Sequence, residues 1–408
     1  MRTVSVALAL TLFAFHNLAA QQVSPHARNA VTAIQQLRLI GVPNSNELEN
    51  GPPSYVPGLL RRLNQELKAL IVDDLNDTSK HAVPDEDEIL DQLRAAGWDE
   101  ISSNKWNAFG EIREIKFDWK TGYDPGILIV STKLWLPCGK TDPDSAVYVF
   151  QGMARHWDLV LTADSDFDPA GADDTSGVQY EISPPDSRGR WYFVVAHLPP
   201  SCRDLPRVLH YQAFRPGASP DKPVVLFSGR DKIDLHFVPP FRLNVETDWF
   251  AITAGRPRKL DAAPAVFISS YQVTGSQAQR MAPLALTPED FLDQWVQLSW
   301  DDARRWARPS SDSALQEWHA KLHGLATDSV DIESVHHCSG EGEGDQIWLV
   351  ELAIDRQANP SITQEELYVQ IAKRDGLFTV ESANSIHPAG CPGKTPLMPQ
   401  TDWSLPGW

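Results

Sequence analysis

The apolar positions of the first hundred residues follow a helical step. In residues 24–40, Ala27, Ala30, Val31, Ile34 and Leu37 recur at intervals of three and four, Ser24 is placed to cap and Pro25 suits a first turn. A helix is predicted there, stopped by Gly41 and Pro43. Leu59, Leu60, Leu63, Leu67, Leu70 and Ile71 form the apolar face of a second helix. A third begins near Asp85, where Asp85, Glu86, Asp87 and Glu88 meet the positive end of the helix dipole. That cluster reads as a cap, not as a catalytic carboxylate pair.

From Trp106 to about Pro283 the period changes. Runs such as "EIREIKFDW", "GILIVSTKLWL", "AVYVFQ", "RWYFVVAHL" and "DWFAITA" alternate or are continuously apolar, and each is bounded by Gly, Pro, Asn, Asp or Ser. About ten strands at this spacing, without a long helical pattern between them, predict an antiparallel all-β unit. Trp157, Trp191 and Trp249 open strands with the same local grammar, but their unequal spacing argues against a strict repeat.

The helical period returns at Thr287, which with Pro288 and Asp290 makes a strong helix start. Ser299 with Asp302 makes another, and Gly324 stands as a stop. Phe291, Trp295, Leu298, Trp306, Leu315, Trp318 and Leu322 share a face suited to docking on a sheet, and four strand patterns follow: "VDIESVHH", "QIWLVELAID", "EELYVQIAKR" and "LFTVESAN". This order of helices and strands resembles the small cone-shaped α+β domains of the nuclear-transport-factor-2 type. The likeness is of pattern alone and implies no activity.

The expected fold is therefore a multidomain α+β chain. Its parts are a signal peptide (1–20), an N-terminal helical region (21–103), an antiparallel β domain (104–286), a cone-like α+β domain of helices on an antiparallel sheet (287–392) and a proline-rich tail (393–408). The leader has Arg2, an apolar run from Val4 to Phe15 and small residues Ala19 and Ala20, the layout of a cleavable export signal. No later segment has the length of apolar sequence that a membrane helix needs, so a periplasmic or extracellular location is expected. With 36 basic against 54 acidic residues and a net charge of −18, nucleic acid is an improbable partner.

Four cysteines in an exported chain predict two disulfides. Cys138 with Cys202 and Cys338 with Cys391 keeps each bridge within one proposed unit, and each loop would contribute about 4 kcal/mol in the chain-entropy treatment. A bonded Cys338 is neither nucleophile nor metal ligand. His336 and His337, adjacent on a strand, point to opposite faces. The "GEGEGD" that follows lacks the pattern of a phosphate loop and reads as a polar hairpin turn. Should either histidine do acid-base work, Asp345 or Glu341 is the expected partner.

Asp164, Asp166 and Asp168 offer hard oxygen ligands for calcium, although Pro169 and Thr175 stand where a helix-loop-helix calcium loop needs glycine and glutamate. His319 and His323 share a helical face at zinc-ligand spacing, but Ala320, Lys321 and Leu322 between them supply no general base. They read as surface groups compensating the helix dipole. Among the fourteen tryptophans, Trp119, Trp135, Trp403 and Trp408 have no obvious core phase. No catalytic residue and no cofactor is expected: the aspartate run reads first as a solvated acidic loop, with a calcium site of another kind as the alternative. The sequence favours non-catalytic binding of a protein or glycan partner. An envelope assembly component, and a hydrolase or isomerase using a His-carboxylate pair in the C-terminal domain, are the alternatives.

Overall fold

The computed structural model describes residues 23–40, 55–77, 85–99, 109–135, 144–153, 156–164, 178–198, 207–220, 222–233, 241–256, 260, 265–283, 285–308, 312–325, 330–338, 346–354, 365–374, 376–389 and 391. The leader and the proline-rich tail lie outside these. Helices α1 (Pro25–Arg38), α2 (Val56–Leu75) and α3 (Glu86–Ala95) come first. The Ser24 hydroxyl accepts from His26 N, and the Asp85 carboxylate accepts from Glu88 N, so both expected caps form.

Twelve strands then make three antiparallel meanders of four. The first sheet is β1 (Glu111–Lys120), β2 (Gly126–Trp135), β3 (Asp144–Met153) and β4 (His156–Asp164). The second is β5 (Val178–Ile182), β6 (Phe193–His197), β7 (Arg207–Ser219) and β8 (Lys222–Ile233). The third is β9 (Phe241–Val245), β10 (Trp249–Arg256), β11 (Ala265–Thr274) and β12 (Gln277–Arg280). Only β12, four residues long and polar, had no counterpart among the sequence patterns.

These sheets stack face to face, with the N-terminal helices over the first. Alternation assigns each residue a face. On β2 and β3, Leu128, Val130, Leu134, Ala146, Tyr148 and Phe150 pack against the helices, whereas Ile127, Ile129, Val147 and Val149 meet Phe193 and Val195 of the second sheet. Tyr192, Val194 and Ala196, on the other side of the Phe193 run, meet Phe241, Phe250, Ile252 and Tyr271 of the third. Strands buried on both sides explain the continuous apolar runs "GILIV", "AVYVF" and "FVVA". Each large side chain so buried contributes about 1.5–3 kcal/mol.

Polar contacts fix the layers in register. Asn76, capping α2, donates from Nδ2 to Trp157 O at 3.0 Å and accepts from Trp157 N at 2.9 Å. Gln179 of β5 donates to Phe241 O at 2.9 Å, tying the second sheet to the third.

Helices α4 (Pro288–Gln297), α5 (Trp300–Ala303) and α6 (Asp312–Gly324) precede a fourth antiparallel sheet of β13 (Val330–Cys338), β14 (Gln346–Ile354), β15 (Glu365–Arg374) and β16 (Leu377–Asn384). Phe291, Leu292, Trp295, Val296, Leu315 and Leu322 bury against Val350, Leu352, Val369, Ile371 and Val380. The fold is thus a β-rich α+β arrangement, with helices against the first and fourth sheets. Trp191 and Trp249 each stand at the entrance to the second strand of their sheets, while Trp157 lies in a fourth strand. The repeat is architectural: strand lengths and turns differ, so no fixed sequence period survives.

Candidate functional site

A cleft of about 370 Å³ opens where the edge strands β1, β5 and β9 meet. Its walls come from Glu114, Lys116, Asp118 and Lys120 of β1, Ser131 and Lys133 of β2, Ser145 of β3, Val178 to Glu181 of β5, and Leu243 of β9. The "EIKFDWK" alternation places acid and base in turn on the β1 face that looks toward the second sheet, while Ile115 and Phe117 face the helices. Antiparallel register sets Glu114 opposite Lys133 and Lys116 opposite Ser131.

Three acids and three lysines line the cleft, so its formal charge balances. Glu114 pairs with Lys133, and Asp118 with Lys120 at 2.9 Å. Lys116 and Glu181 make no ion pair among the described residues and remain to address a ligand. Burial pushes the Lys120 ammonium down, but the hydrogen bond and charge of Asp118, with Glu181, outweigh it and the pKa rises. Burial raises the Tyr180 phenol, against the effect of its hydrogen bond with Ser131, so both groups hold their protons at neutral pH. Tyr180 lies over Phe193, centroids 6.0 Å apart and rings nearly parallel, which fixes the phenol in the wall. The result is a charge-neutral set of donors and acceptors beside one aromatic ring.

The sequence-derived candidates fall elsewhere. Cys338, ending β13, is bonded to Cys391 across 53 residues, with Cα atoms 4.7 Å apart. Cys138 and Cys202 lie outside the described residues, as do Asp166 and Asp168. Asp164 ends β4, and no group of His, Cys, Asp and Glu suited to a metal occurs among the described residues. His319 is not the surface group expected: it is 3% exposed, packs edge-on to Trp295 at 4.7 Å and bonds the Trp295 carbonyl at 3.2 Å. His323 bonds the Val296 carbonyl at 2.8 Å. Both rings bond carbonyls of α4, which covers His319, whereas His323 stays exposed as the sequence led one to expect. Trp119 is 41% exposed and meets Trp157 edge-on at 5.2 Å, whereas Trp135 lies beneath Arg113 at 4.3 Å.

His336 and His337 do point to opposite faces. His337 meets Trp348 on the helix side, and His336 is buried on the other face beside Ser334 and Glu351. Ser334 donates to Glu351 Oε2 at 2.6 Å, so the His336 Nε2 at 2.7 Å from Ser334 Oγ carries the proton and donates. An acyl-transfer triad needs the reverse, an imidazole accepting the serine proton. Tyr368, also on this face, donates to Glu366 at 2.7 Å, which with burial raises its pKa. The carboxylate beside His336 is Glu351; Glu341 and Asp345, the partners anticipated, lie outside the described residues. The i, i+2 step marks Ser334 and His336 as neighbours on one face, but Glu351 is brought in by cross-strand register.

No family model matches this chain, and no curated protein matches it. A solved structure titled glycoside hydrolase aligns over 66% of this chain and 72% of its own, at 8% identity and a TM-score of 0.22. A likeness that low carries no argument.

Proposed function

We propose that this is an exported, non-catalytic binding protein whose cleft between the first two sheets holds a short neutral glycan. The observation that carries the reading is the 370 Å³ cleft with balanced charge. A net-neutral wall gives no preference for an ionic ligand, while ion-paired lysines and acids, Ser131, Gln179, and Lys116 and Glu181, which make no ion pair among the described residues, can bond a row of hydroxyls. Tyr180 adds an apolar surface for a sugar ring. The Cys338–Cys391 bridge supports an oxidising compartment, and among the described residues no helix is long and apolar enough to cross a membrane. In this reading residues 104–286 form the binding domain and 287–392 a separate cone-like unit.

The test is an array of neutral and acidic glycans probed with purified protein. Binding to neutral glycans is expected, weakened about tenfold or more by Tyr180→Ala and Glu181→Gln with the melting temperature unchanged. Capture of acidic glycans alone, or variants that bind like the parent, would refute the assignment.

His336 beside Glu351 favours a second reading, acid-base catalysis on the face of the fourth sheet turned away from the helices. The direction of the Ser334 proton counts against a nucleophilic serine. If esterase and isomerase substrates turn over in the parent protein and not in His336→Gln, this reading displaces the first.

A further inference from the structure

At the opposite edge of the stack from the cleft, near β8 and β12, polar side chains are buried between the second and third sheets. Tyr211 of β7 donates to Asp231 Oδ2 at 2.7 Å, and Tyr271 of β11, 2.8 Å away, donates to the Tyr211 oxygen. Asp231 also receives Nη2 of Arg256, the last residue of β10, whose side chain is only 5% exposed. Ser269 Oγ accepts from Arg256 Nη2 at 2.8 Å and from Arg280 Nη2 of β12 at 3.1 Å. Phe227, Phe250 and Phe267 surround the group.

Two features of this cluster are left over by the fold. Among the described residues two guanidinium groups converge on a single hydroxyl beside one carboxylate, Asp231, and Arg280 makes no ion pair. Arg256 Nε is buried without an acceptor. Like charges in a poorly polarisable surround repel, and a buried donor without a partner is costly, so the folded protein gains if one negative charge is supplied. One excess positive charge calls for one negative charge, and the planar fork of an arginine matches a carboxylate. The geometry points to a second binding site, at the β8–β12 edge, in which Arg256 and Arg280 clamp the carboxylate group of a ligand.

Arg280 is half-buried on the edge strand and marks the side from which the carboxylate enters. The site is independent of the glycan cleft, which lies at the β1–β5–β9 edge.

Acetate and inorganic phosphate titrated separately into the full-length protein by calorimetry, at fixed ionic strength, test this. Acetate binding is expected. Arg280→Gln should weaken it about tenfold or more, while melting no lower than the parent without acetate because a like charge is gone. Arg280→Lys, keeping charge but not the fork, should fall between, and serves alone if the glutamine variant does not fold. Equal acetate affinity in parent and variants, or none in the parent, overturns the site. Binding of phosphate and not acetate overturns the assignment to a carboxylate.

Discussion

The second sheet has two interfaces, and they treat polar groups differently. Toward the first sheet it offers Phe193, Val195 and Phe214, and its charges are displaced to an open cleft at the strand edge. Toward the third sheet it offers Tyr192, Tyr211 and Leu226 and takes Asp231 and Arg256 into the packing itself. Open-edge ion pairs contribute little to stability and stay available to a ligand. A buried pair adds little net stability while intact, but becomes expensive once one partner is missing. Gly229 shows how closely the buried side is fitted, since a side chain there would overlap the Tyr211 ring.

The sharpest way to break the contrast is Asp231→Ala, which strands Arg256 and should cost about 3–5 kcal/mol in denaturant unfolding. A loss below about 1 kcal/mol would mean that the pair is solvated after all.

Next in size is a pH effect at the other interface. His197 faces His210 across β6 and β7, with ring centroids 5.4 Å apart, and burial, His210 and Arg230 lower its pKa to about 4. The folded state thus binds this proton less readily than the unfolded chain. The stability due to neutral His197 is complete above about pH 6.5 and is lost as pH falls toward 4. A loss on the order of 2 kcal/mol is expected across that window, flattened in His197→Gln. Identical acid profiles for the two proteins would place the titration elsewhere.

Tyr211→Phe removes a donor to Asp231 and the acceptor of Tyr271, and should cost about 1–2 kcal/mol. Smallest is Lys116→Ala in the cleft, with a stability change within about 0.5 kcal/mol but reduced glycan binding. Should it destabilise as much as Tyr211→Phe, the two interfaces would not differ as described.

Much of the architecture was legible in the chain. Ser24, Asp85, Thr287 and Ser299 announce helices through local hydrogen bonds, and runs such as "FVVA" announce strands because alternating faces are both apolar. β12 was not legible, since "QAQR" has neither apolar alternation nor β-branching and pairs only because β11 lies beside it. The cleft was half legible. "EIKFDWK" shows charges on one face of β1, but nothing local says that Tyr180, some sixty residues on, closes the other side.

Sequence alone determined the elements other than β12, the helix caps and the opposite facing of His336 and His337, and it favoured the Cys338–Cys391 pairing because both cysteines fall at strand-end turns within one proposed unit. Tertiary structure decided the rest: that His319 is covered by α4, that Glu351 stands beside His336, and that Arg256 and Arg280 converge on Ser269. Periodicity and capping act over a few residues, so they are written in order along the chain. Which charges meet depends on how sheets stack and register, and that is set by the packing of whole faces at once.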